Sequence, residues 1–223
     1  MGLSLPADAP EKLRRFYGLL EERNRVMNLT AIEGEEAAAR LHFLDSLALL
    51  PLCDFRDADV IDVGTGAGFP GLPIAVAVPS ARVTLLDALY KRVDFLREAA
   101  QAAGTPCTCL HARAEEASKL PEMREQFDIA VSRAVARLNV LCELCLPFVR
   151  VGGIFIAMKA ADSAEETAEA KAAAKTLGGG DILVRRYSIP GTDIERCAVV
   201  IPKTSPTPEK FPRRFARIQK SPL

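Results

Sequence analysis

Residues 60–74 read VIDVGTGAGFPGLPI, and this stretch decides the fold of the chain. Val60, Ile61 and Val63 are apolar and β-branched, which is typical of a buried strand. Four glycines follow within eight positions, at Gly64, Gly66, Gly68 and Gly71, and the apolar run 72–78 then favours a helix. Strand, glycine loop and helix start together bring backbone N–H groups close to an anionic or polar ligand.

The glycine spacing narrows the class of ligand. The loop has the spacing G-x-G-x-G, with Asp62 two residues before the first glycine. It therefore differs from the G-x-G-x-x-G of dinucleotide-binding dehydrogenases and from the G-x-x-x-x-G-K-[ST] phosphate loop. The pattern D-x-G-x-G-x-G resembles motif I of S-adenosylmethionine-dependent methyltransferases. The alternative is a glycine turn that only connects a strand to a helix.

Asp87 supports a ligand site. The apolar run 83–86 predicts a second buried strand, which ends on this residue. An acid at the end of the second strand, about twenty residues after the glycine loop, is placed to accept both ribose hydroxyls of a nucleoside. The alternative is that Asp87 only caps the helix predicted over 90–103.

Composition indicates one globular α/β domain with a small extension. The chain has 223 residues, of which 49% are hydrophobic and 26% charged. No apolar run approaches the ~20 residues of a membrane span, and the N-terminus lacks a signal-peptide pattern. We therefore expect a cytoplasmic protein without a membrane partner.

The charge is zero overall but uneven along the chain, which bears on nucleic-acid binding. From Lys203 onward there are six basic residues and one acidic residue. Within this tail, Lys210, Arg213, Arg214 and Arg217 are candidates for contacts to RNA phosphates. A solvated tail without a partner is the alternative.

The six cysteines do not indicate a metal site. Cys107 and Cys109 alternate along a predicted strand, and Cys142 and Cys145 share one side of a predicted helix. Both pairs lie among apolar residues, where free cysteine behaves as a small hydrophobe. We expect no bound metal, because no Cys-rich knuckle with turn residues accompanies them.

The order of the elements predicts a mostly parallel sheet with helices on both faces. An N-terminal helix is expected over 8–25 and two short helices over 33–50. The strands are predicted at 59–63, 82–87, 106–111, 127–132, 153–159, 181–189 and 195–202, and the intervening helices at 71–78, 90–103, 136–149 and 162–177. Ser163 and Glu166 predict a capping box at the last helix. We divide the chain into an N-terminal helical extension (1–50), a main domain (51–203) and a basic C-terminal tail (204–223).

Ligands of such a sheet bind outside the carboxyl ends of its strands, so the residues there are candidate site residues. Arg133 follows strand four and offers a bidentate fork for a carboxylate or a phosphate. Lys159 follows strand five, and His42 lies beside an apolar stripe of the N-terminal helices. For His42 the alternative is a satisfied structural histidine.

Two sequence features that other methyltransferases use are missing, and this narrows the choice of the atom that is methylated. The [D/N/S]-P-P-[Y/F/W] motif of exocyclic-amine methyltransferases is replaced by SRAV at 132–135, and no cysteine nucleophile follows strand four or five near the predicted cleft. A ring nitrogen with a lone pair in the ring plane, such as guanine N7, has no proton to lose. Its methylation needs positioning rather than a general base.

Segments spread over the whole chain are similar to the RsmG family, also known as glucose-inhibited division protein B. They are NRVMNLTAI, RLHFLDSL, VIDVGTGAGFPGLPIA, LLDALYKRVDFL, SRAVARLNVL, ELCLPFV, GGIFIAMKA and the C-terminal FPRR and KSPL. The resemblance implies a class I methyltransferase fold, Rossmann-like, with a seven-stranded mostly parallel sheet in a three-layer α/β/α arrangement. It implies methyl transfer from S-adenosylmethionine to N7 of a guanine in the decoding-region loop of bacterial 16S rRNA.

The resemblance also implies cofactor-binding roles for individual residues, which are Gly64, Phe69, Ala114, Glu115 and Arg133. Gly66, Gly68 and Asp87 complete the predicted cofactor set, while Arg133, Lys159 and His42 are candidates for positioning the substrate. The expected partner is 16S rRNA or the small ribosomal subunit, and we expect a monomer. The alternatives are a small-molecule or protein methyltransferase of the same fold, and a cofactor-binding RNA-associated protein without catalysis.

Overall fold

The computed structural model describes residues 4–133 and 136–223. Ala134 and Val135, which belong to the family-like segment 132–141, lie outside the described residues. In the described part, seven strands form one sheet in the order β3-β2-β1-β4-β5-β7-β6. The strands are β1 Asp59–Val63, β2 Arg82–Asp87, β3 Thr108–His111, β4 Phe127–Arg133, β5 Val149–Ala160, β6 Leu183–Ser188 and β7 Glu195–Pro202.

The first five strands are parallel, and β7 runs antiparallel to both β5 and β6. The strand order reverses between β1 and β4, because β2 and β3 lie on one side of β1 and β4 and β5 lie on the other. Ligand sites of open α/β sheets lie at this point, outside the carboxyl ends of the strands.

Helices cover both faces of the sheet. They are α1 Ala9–Met27, α2 Glu35–Ala38, α3 Asp45–Leu47, α4 Gly71–Ala77, α5 Tyr90–Ala102, α6 Ala114–Ala117, α7 Leu138–Cys145, α8 Ala164–Thr176 and α9 Phe215–Lys220. A π-helical turn, Ala39–Leu44, joins α2 to α3, and 3₁₀ turns occupy Leu50–Leu52 and Leu146–Phe148. One core lies between the sheet and α1, α4 and α5, and it contains Phe16, Phe43, Phe69 and Leu96. The other lies under α7, α8 and α9. The three-layer α/β/α fold predicted from the sequence is confirmed.

Two local predictions are wrong, both because tertiary contacts override local preference. The helix expected over 136–149 ends at Cys145, and Val149 is already the first residue of β5, paired with Phe127. Pro147 in the intervening 3₁₀ turn has no N–H with which to continue a helix. The capping box is absent as well. Ser163 stands at the N-cap of α8 without capping it, and its hydroxyl lies 3.0 Å from Cys197 Sγ.

The C-terminal segment packs against the domain instead of extending from it. Lys203 is fully buried, and its Nζ donates to Glu125 Oε1 at 2.8 Å and to Thr207 Oγ1 at 2.7 Å. Arg124 donates to the carbonyl oxygens of Thr207 and Phe211. These bonds fix the segment along its length. The division of the chain at residues 50 and 203 stays a prediction.

None of the helices in the described ranges is long and apolar enough to cross a membrane.

Candidate cofactor and active site

The glycine loop after β1 crosses the end of the neighbouring strand β2. The amides of Gly64 and Thr65 both donate to the carbonyl of Leu86, at 2.9 and 3.1 Å. Gly64 and Gly66 have φ values of +71° and +60°, in the left-handed region that favours glycine. A Cβ added at Gly66 would meet no atom within 4 Å. The backbone of the loop is therefore open to a ligand from above.

Asp62 holds the loop from below. Its Oδ2 accepts hydrogen bonds from Thr65 Oγ1 at 2.6 Å and from the Gly71 amide at 2.7 Å. The side chain is fully buried, and burial raises its pKa to about 6. Within residues 4–133 and 136–223, its second oxygen, Oδ1, is buried without a hydrogen-bond partner. A polar ligand or a bound water that donates to this atom would complete the site.

Asp87 ties the same loop to the start of α5. Its Oδ2 accepts from the Gly66 amide at 3.0 Å, and its Oδ1 accepts from the Leu89 amide at 2.9 Å. Arg92 Nη1 lies 3.6 Å from Oδ2. The carboxylate thus orders the turn before α5 and also lines the cavity described next, so the structural and ligand-binding interpretations of this residue are compatible.

A cavity of about 440 Å³ opens above the loop. Its walls are formed by loop residues 64–67 and Phe69, by 87–89 at the end of β2, and by Arg92 from α5. Arg133 from β4, Leu29 and Thr30 from the turn after α1, and His42 from the π-helical turn complete the lining. The volume falls in the range of small-molecule sites. The N-terminal helical segment therefore forms one wall of the site.

Arg133 joins β4 to that wall. Its Nη2 lies 2.9 Å from His42 Nδ1, and its Nη1 donates to Asp45 Oδ2 at 3.3 Å and to the Leu41 carbonyl at 3.2 Å. The guanidinium carbon lies 5.0 Å from the ring centroid of Phe69. Only 15% of the side chain is exposed. Arg133 is a largely buried cation whose position is fixed from several sides.

His42 is a neutral member of this cluster. Its ring stacks on Phe69 at a centroid distance of 4.4 Å, and its Nε2 lies 2.8 Å from Thr30 Oγ1. Burial, with the nearby charge of Arg133, lowers the pKa of His42 to about 3. A guanidinium can only donate, so Nδ1 is the acceptor and Nε2 carries the proton. Both ring nitrogens are occupied, which argues against a role as general base.

Asp45, the carboxylate partner of Arg133, also reaches the antiparallel end of the sheet. Its Oδ1 accepts from the Tyr187 hydroxyl at 2.8 Å. Asp45 therefore connects α3, β4 and β6. The sequence has no signal for the pairing of Asp45 with Tyr187, because the two residues are 142 positions apart.

The structure brings together many of the predicted site residues. Gly64, Gly66, Phe69, Asp87, Arg133 and His42 all line the cavity. Gly68 does not, because a Cβ there would point to Phe16 and Leu96 at 3.3 Å. Two polar wall residues outside the glycine loop, Thr30 and Arg92, were not predicted as site residues. The signal for Thr30 was present, in a polar turn, NLT, directly after the first helix.

Ala114 and Glu115 lie at the start of α6, outside the cavity wall. Glu115 is buried and accepts a hydrogen bond from Arg113 Nε at 2.6 Å. The guanidinium of Arg113 in turn lies 4.8 Å from the ring centroid of Phe215 in α9. The contact of Ala114 and Glu115 with the cofactor stays a prediction.

Lys159 supports the connection after β4 instead of lining the cavity. Its Nζ donates to the Ala136 carbonyl at 2.6 Å and to Glu166 Oε1 at 2.7 Å. The same Glu166 oxygen accepts from the Leu138 amide. We call Lys159 and Glu166 the β4–α7 clamp, because together they hold both ends of the short segment 136–138.

The four RNA-binding candidates of the tail fall into two groups. Arg213 forms a bidentate ion pair with Glu143 of α7, at 2.6 Å for Nη2, and Glu143 is completely buried. The sequence interpretation of Arg213 as an available phosphate contact therefore disagrees with its position. Lys210, Arg214 and Arg217 are exposed. Among the described residues, no group of three or more His, Cys, Asp or Glu side chains could hold a metal ion.

The site fits S-adenosylmethionine by its own features. Gly66 leaves open space above the loop backbone, Asp62 offers one unpartnered buried oxygen, and Asp87 borders the same cavity. The open loop backbone suits the close approach of a polar ligand, and an acid at the end of the second strand suits ribose hydroxyls.

Solved structures of other proteins share the fold of this chain. The chain is similar to an O-methyltransferase from Bacillus cereus in complex with SAH, with a TM-score of 0.59, 16% identity, and coverage of 85% of this chain and 91% of that one. It is also similar to a predicted O-methyltransferase from Agrobacterium tumefaciens, with a TM-score of 0.57, 23% identity, and coverage of 73% and 80%. The fold and the site define a class I S-adenosylmethionine-dependent methyltransferase.

Sequence comparisons narrow the class to a family. A profile described as rRNA small subunit methyltransferase G matches residues 9–190. The chain is 44% identical over 223 residues to ribosomal RNA small subunit methyltransferase G of Acetivibrio thermocellus, covering 100% of this chain and 92% of that protein. It is 43% identical over 225 residues to the protein of that name from Clostridium perfringens, covering 100% and 94%. The chain belongs to the rRNA small subunit methyltransferase G family.

Proposed function

We propose that this enzyme transfers the methyl group of S-adenosylmethionine to N7 of a guanine in the decoding-region loop of bacterial 16S rRNA. Its substrate is the RNA itself or the small ribosomal subunit, and its place of action is the bacterial cytoplasm. A monomeric enzyme is part of the proposal. Family membership supports the ribosomal RNA substrate, and the chemistry of the cavity supports the choice of atom.

The observation that carries the choice of atom is the state of the titratable groups around the cavity. His42 is neutral with both ring nitrogens hydrogen-bonded, and Asp87 accepts from two backbone amides. Asp45 is held between Arg133 and Tyr187. Among the residues that the structure describes around the cavity, each candidate base is thus already engaged. Guanine N7 requires no base, since it carries no proton.

Bound S-adenosylmethionine supplies an electrophilic methyl group on a sulfonium sulfur. The bond from guanine N7 to the methyl carbon forms as the carbon–sulfur bond breaks, and its electron pair stays on sulfur. The product base carries the positive charge, and no proton is released. The protein therefore contributes mainly alignment and the exclusion of water.

The residues of the chain divide this task. Gly64 and Gly66 let the backbone approach the cofactor, Asp87 holds the ribose, and Asp62 holds the glycine loop in place from below. Arg133 pairs with the carboxylate of the cofactor or with a phosphate of the substrate. The exposed tail residues Lys210, Arg214 and Arg217 contact phosphates of the RNA.

The test uses small ribosomal subunits from cells that lack this gene, with radiolabelled S-adenosylmethionine as donor. We expect one label per subunit, recovered as 7-methylguanosine in the decoding-region loop. Label on an exocyclic amine, or no incorporation by a protein that still binds S-adenosylmethionine, would contradict the proposal. In the second case, free RNA and small metabolites are tested next.

A further inference from the structure

The hydrogen bonds of Thr30 leave its hydroxyl proton unused. Its Oγ1 accepts from His42 Nε2–H at 2.8 Å, because Arg133 occupies Nδ1 and fixes the proton on Nε2. It also accepts from the Ile32 amide at 3.0 Å. Both lone pairs are therefore taken, and in residues 4–133 and 136–223 no acceptor is recorded for the hydroxyl proton. Thr30 is poised to donate one hydrogen bond.

Thr30 forms a wall of two neighbouring cavities. One is the cofactor cavity of about 440 Å³. The other is a groove of about 730 Å³ between the second half of α1 and residues 28–34, which we call the α1 groove. A group that receives the Thr30 hydrogen bond from the α1 groove is thus adjacent to the ligand of the cofactor cavity. The volume of the groove is sufficient for a nucleotide.

The turn that carries Thr30 is held in place by the end of α1. Asn24 Oδ1 accepts from the Thr30 amide, and Asn24 Nδ2 donates to the Thr30 carbonyl, both at 2.9 Å. Asn28 closes the helix in the left-handed conformation, with φ of +50°. The donor is therefore presented by a fixed turn, as a site that selects one base requires.

The remaining lining of the α1 groove is polar and carries both signs of charge. Arg25 and Asn28 offer donors, and Glu21 and Glu33 offer carboxylates. One oxygen of Glu21 already accepts from the Tyr17 hydroxyl at 2.9 Å. Glu33 is exposed, and no hydrogen bond or ion pair of its side chain is recorded within the described ranges. Glu33 is thus the carboxylate with more capacity for a ligand.

This set of groups matches the polar edges of guanine. The edge that carries N7 also carries O6, which accepts a hydrogen bond, whereas adenine has an amino donor in that place. The adjoining Watson–Crick edge of guanine carries N1–H and an amino group, which together suit a carboxylate. A hydroxyl donor and a carboxylate in one groove therefore favour guanine over adenine.

We propose that the α1 groove binds the target guanine nucleotide, with the Thr30 hydroxyl donating to O6 and the Glu33 carboxylate accepting from N1–H and the amino group. The proposal rests on the proposed function and names the subsite that selects the base. O6 and N7 lie on the same edge of guanine, so a hydrogen bond from Thr30 to O6 orients N7 towards the cofactor cavity. Thr30 and Glu33 are substrate-binding residues in this arrangement.

The test measures methyl transfer to unmethylated small ribosomal subunits and, separately, the Kd for S-adenosylmethionine by calorimetry. Thr30→Val keeps the shape and removes the hydroxyl, both as a donor and as the acceptor for His42 Nε2–H and the Ile32 amide. We expect kcat/KM for subunits to fall about ten-fold or more, the size of a lost hydrogen bond in a selective site. Thr30→Ser restores the hydroxyl and recovers most of the loss. Glu33→Gln raises KM for subunits by about ten-fold.

The controls separate this subsite from a general structural effect. Glu22→Gln changes an exposed carboxylate of α1 that does not line the groove. We expect this variant to have the same kcat/KM for subunits as the unchanged protein. In Glu33→Gln and Glu22→Gln the Kd for S-adenosylmethionine stays within about two-fold of the unchanged protein, because neither residue lines the cofactor cavity. Thr30 lines that cavity as well, so the Kd of Thr30→Val is compared with the Kd of Thr30→Ser, which keeps the bond to His42.

Two results would overturn the subsite. One is an unchanged kcat/KM for both Thr30→Val and Glu33→Gln. The other is a loss in Thr30→Val that follows a weaker Kd for S-adenosylmethionine, which would assign the hydroxyl to the cofactor. Failure of the proposed function is distinguishable, because the unchanged protein would then form no 7-methylguanosine in subunits.

Discussion

Nη2 of Arg133 lies 2.9 Å from Nδ1 of His42, and this contact joins the end of β4 to the N-terminal helices across the cofactor cavity. The contact fixes the tautomer of the histidine, and Nη1 of the same guanidinium donates to Asp45 Oδ2. The ring of Phe69 lies against both side chains, stacked on His42 and under the Arg133 guanidinium. The helical extension is therefore part of the active-site wall.

Replacing Arg133 tests this relationship directly. We expect Arg133→Ala to lower kcat/KM for methyl transfer about ten-fold or more, because hydrogen bonds to charged groups contribute roughly 1.5–3 kcal/mol. Arg133→Lys keeps the charge but loses the fork, and we expect it to recover only part of the activity. Steady-state kinetics with subunits measures both. Activity of Arg133→Ala equal to that of the unchanged protein would remove this residue from the mechanism.

His42 gives the folded state a defined dependence on acid. Its pKa is about 3 in the folded protein and 6.5 in an unperturbed histidine, so the unfolded chain binds the extra proton between these values. Stability from the neutral ring is complete above pH 6.5 and is lost as the pH falls. From pH 6.5 to 5 the loss is about 2 kcal/mol.

The matched variant is His42→Gln, which cannot take up this proton. Urea unfolding of both proteins at pH 6.5 and pH 5 gives the difference in free energy of unfolding. We expect the unchanged protein to lose about 2 kcal/mol more than the variant over this interval. Asp62, whose pKa is raised to about 6, acts in the opposite sense in both proteins and cancels in the comparison. Equal losses would show that His42 titrates normally.

Arg213 is predicted to act on stability. Its partner Glu143 is completely buried, and removal of one member of a buried ion pair costs about 3–5 kcal/mol. We expect a loss of this size in Arg213→Ala, measured by urea unfolding. Arg214→Ala, one residue further along the tail and exposed, should stay within about 0.5 kcal/mol of the unchanged protein. Similar stability in the two variants would mean that the ion pair does not hold the tail.

The exposed tail cations are predicted to act on RNA affinity. The double variant Arg214→Ala, Arg217→Ala removes two exposed cations. Among the described residues neither forms an ion pair, so the change leaves no buried carboxylate unpaired. Each lost phosphate contact reduces the slope of log affinity against log salt by about 0.7–0.9. Filter binding of 16S rRNA at several salt concentrations measures the slope, with Lys119→Ala as a control for the loss of an exposed cation outside residues 204–223. A slope that does not change would leave the tail with a structural role only.

The sequence alone predicted the elements whose signal is local. The strands β1 and β2 are short apolar runs, and the glycine loop after β1 has its own spacing, so both strands were predicted with the bounds that the structure shows. The pairing of distant side chains has no such signal. Arg213 and Glu143 lie 70 positions apart, and a basic tail has the same composition whether it is packed or free.

The capping box illustrates the same limit. Ser163 and Glu166 have the right spacing for a local cap, yet Glu166 turns to Lys159 and the Leu138 amide. A partly buried lysine needs a carboxylate more than the first turn of a helix needs one, because an unpaired buried charge is the costlier defect. Sequence spacing cannot reveal this competition, because Lys159 comes from the neighbouring strand.

The β4–α7 clamp yields the last prediction. Lys159 is 11% exposed, and Glu166→Gln would leave its charge without the carboxylate that neutralises it. We expect the variant to lose about 2–3 kcal/mol of stability. We also expect a lower kcat, because the segment that follows Arg133 loses its support at Leu138.

The matched control is Glu165→Gln, which alters the neighbouring exposed carboxylate in the same first turn of α8. It should match the unchanged protein in both urea unfolding and kinetics, since a single surface charge near a helix N-terminus contributes under about 1 kcal/mol. The Kd for S-adenosylmethionine, measured by calorimetry, should change less than kcat in Glu166→Gln, because the glycine loop and Asp87 do not contact the clamp. A stability loss with an unchanged kcat would limit the clamp to folding and leave Arg133 positioned by His42 and Asp45 alone.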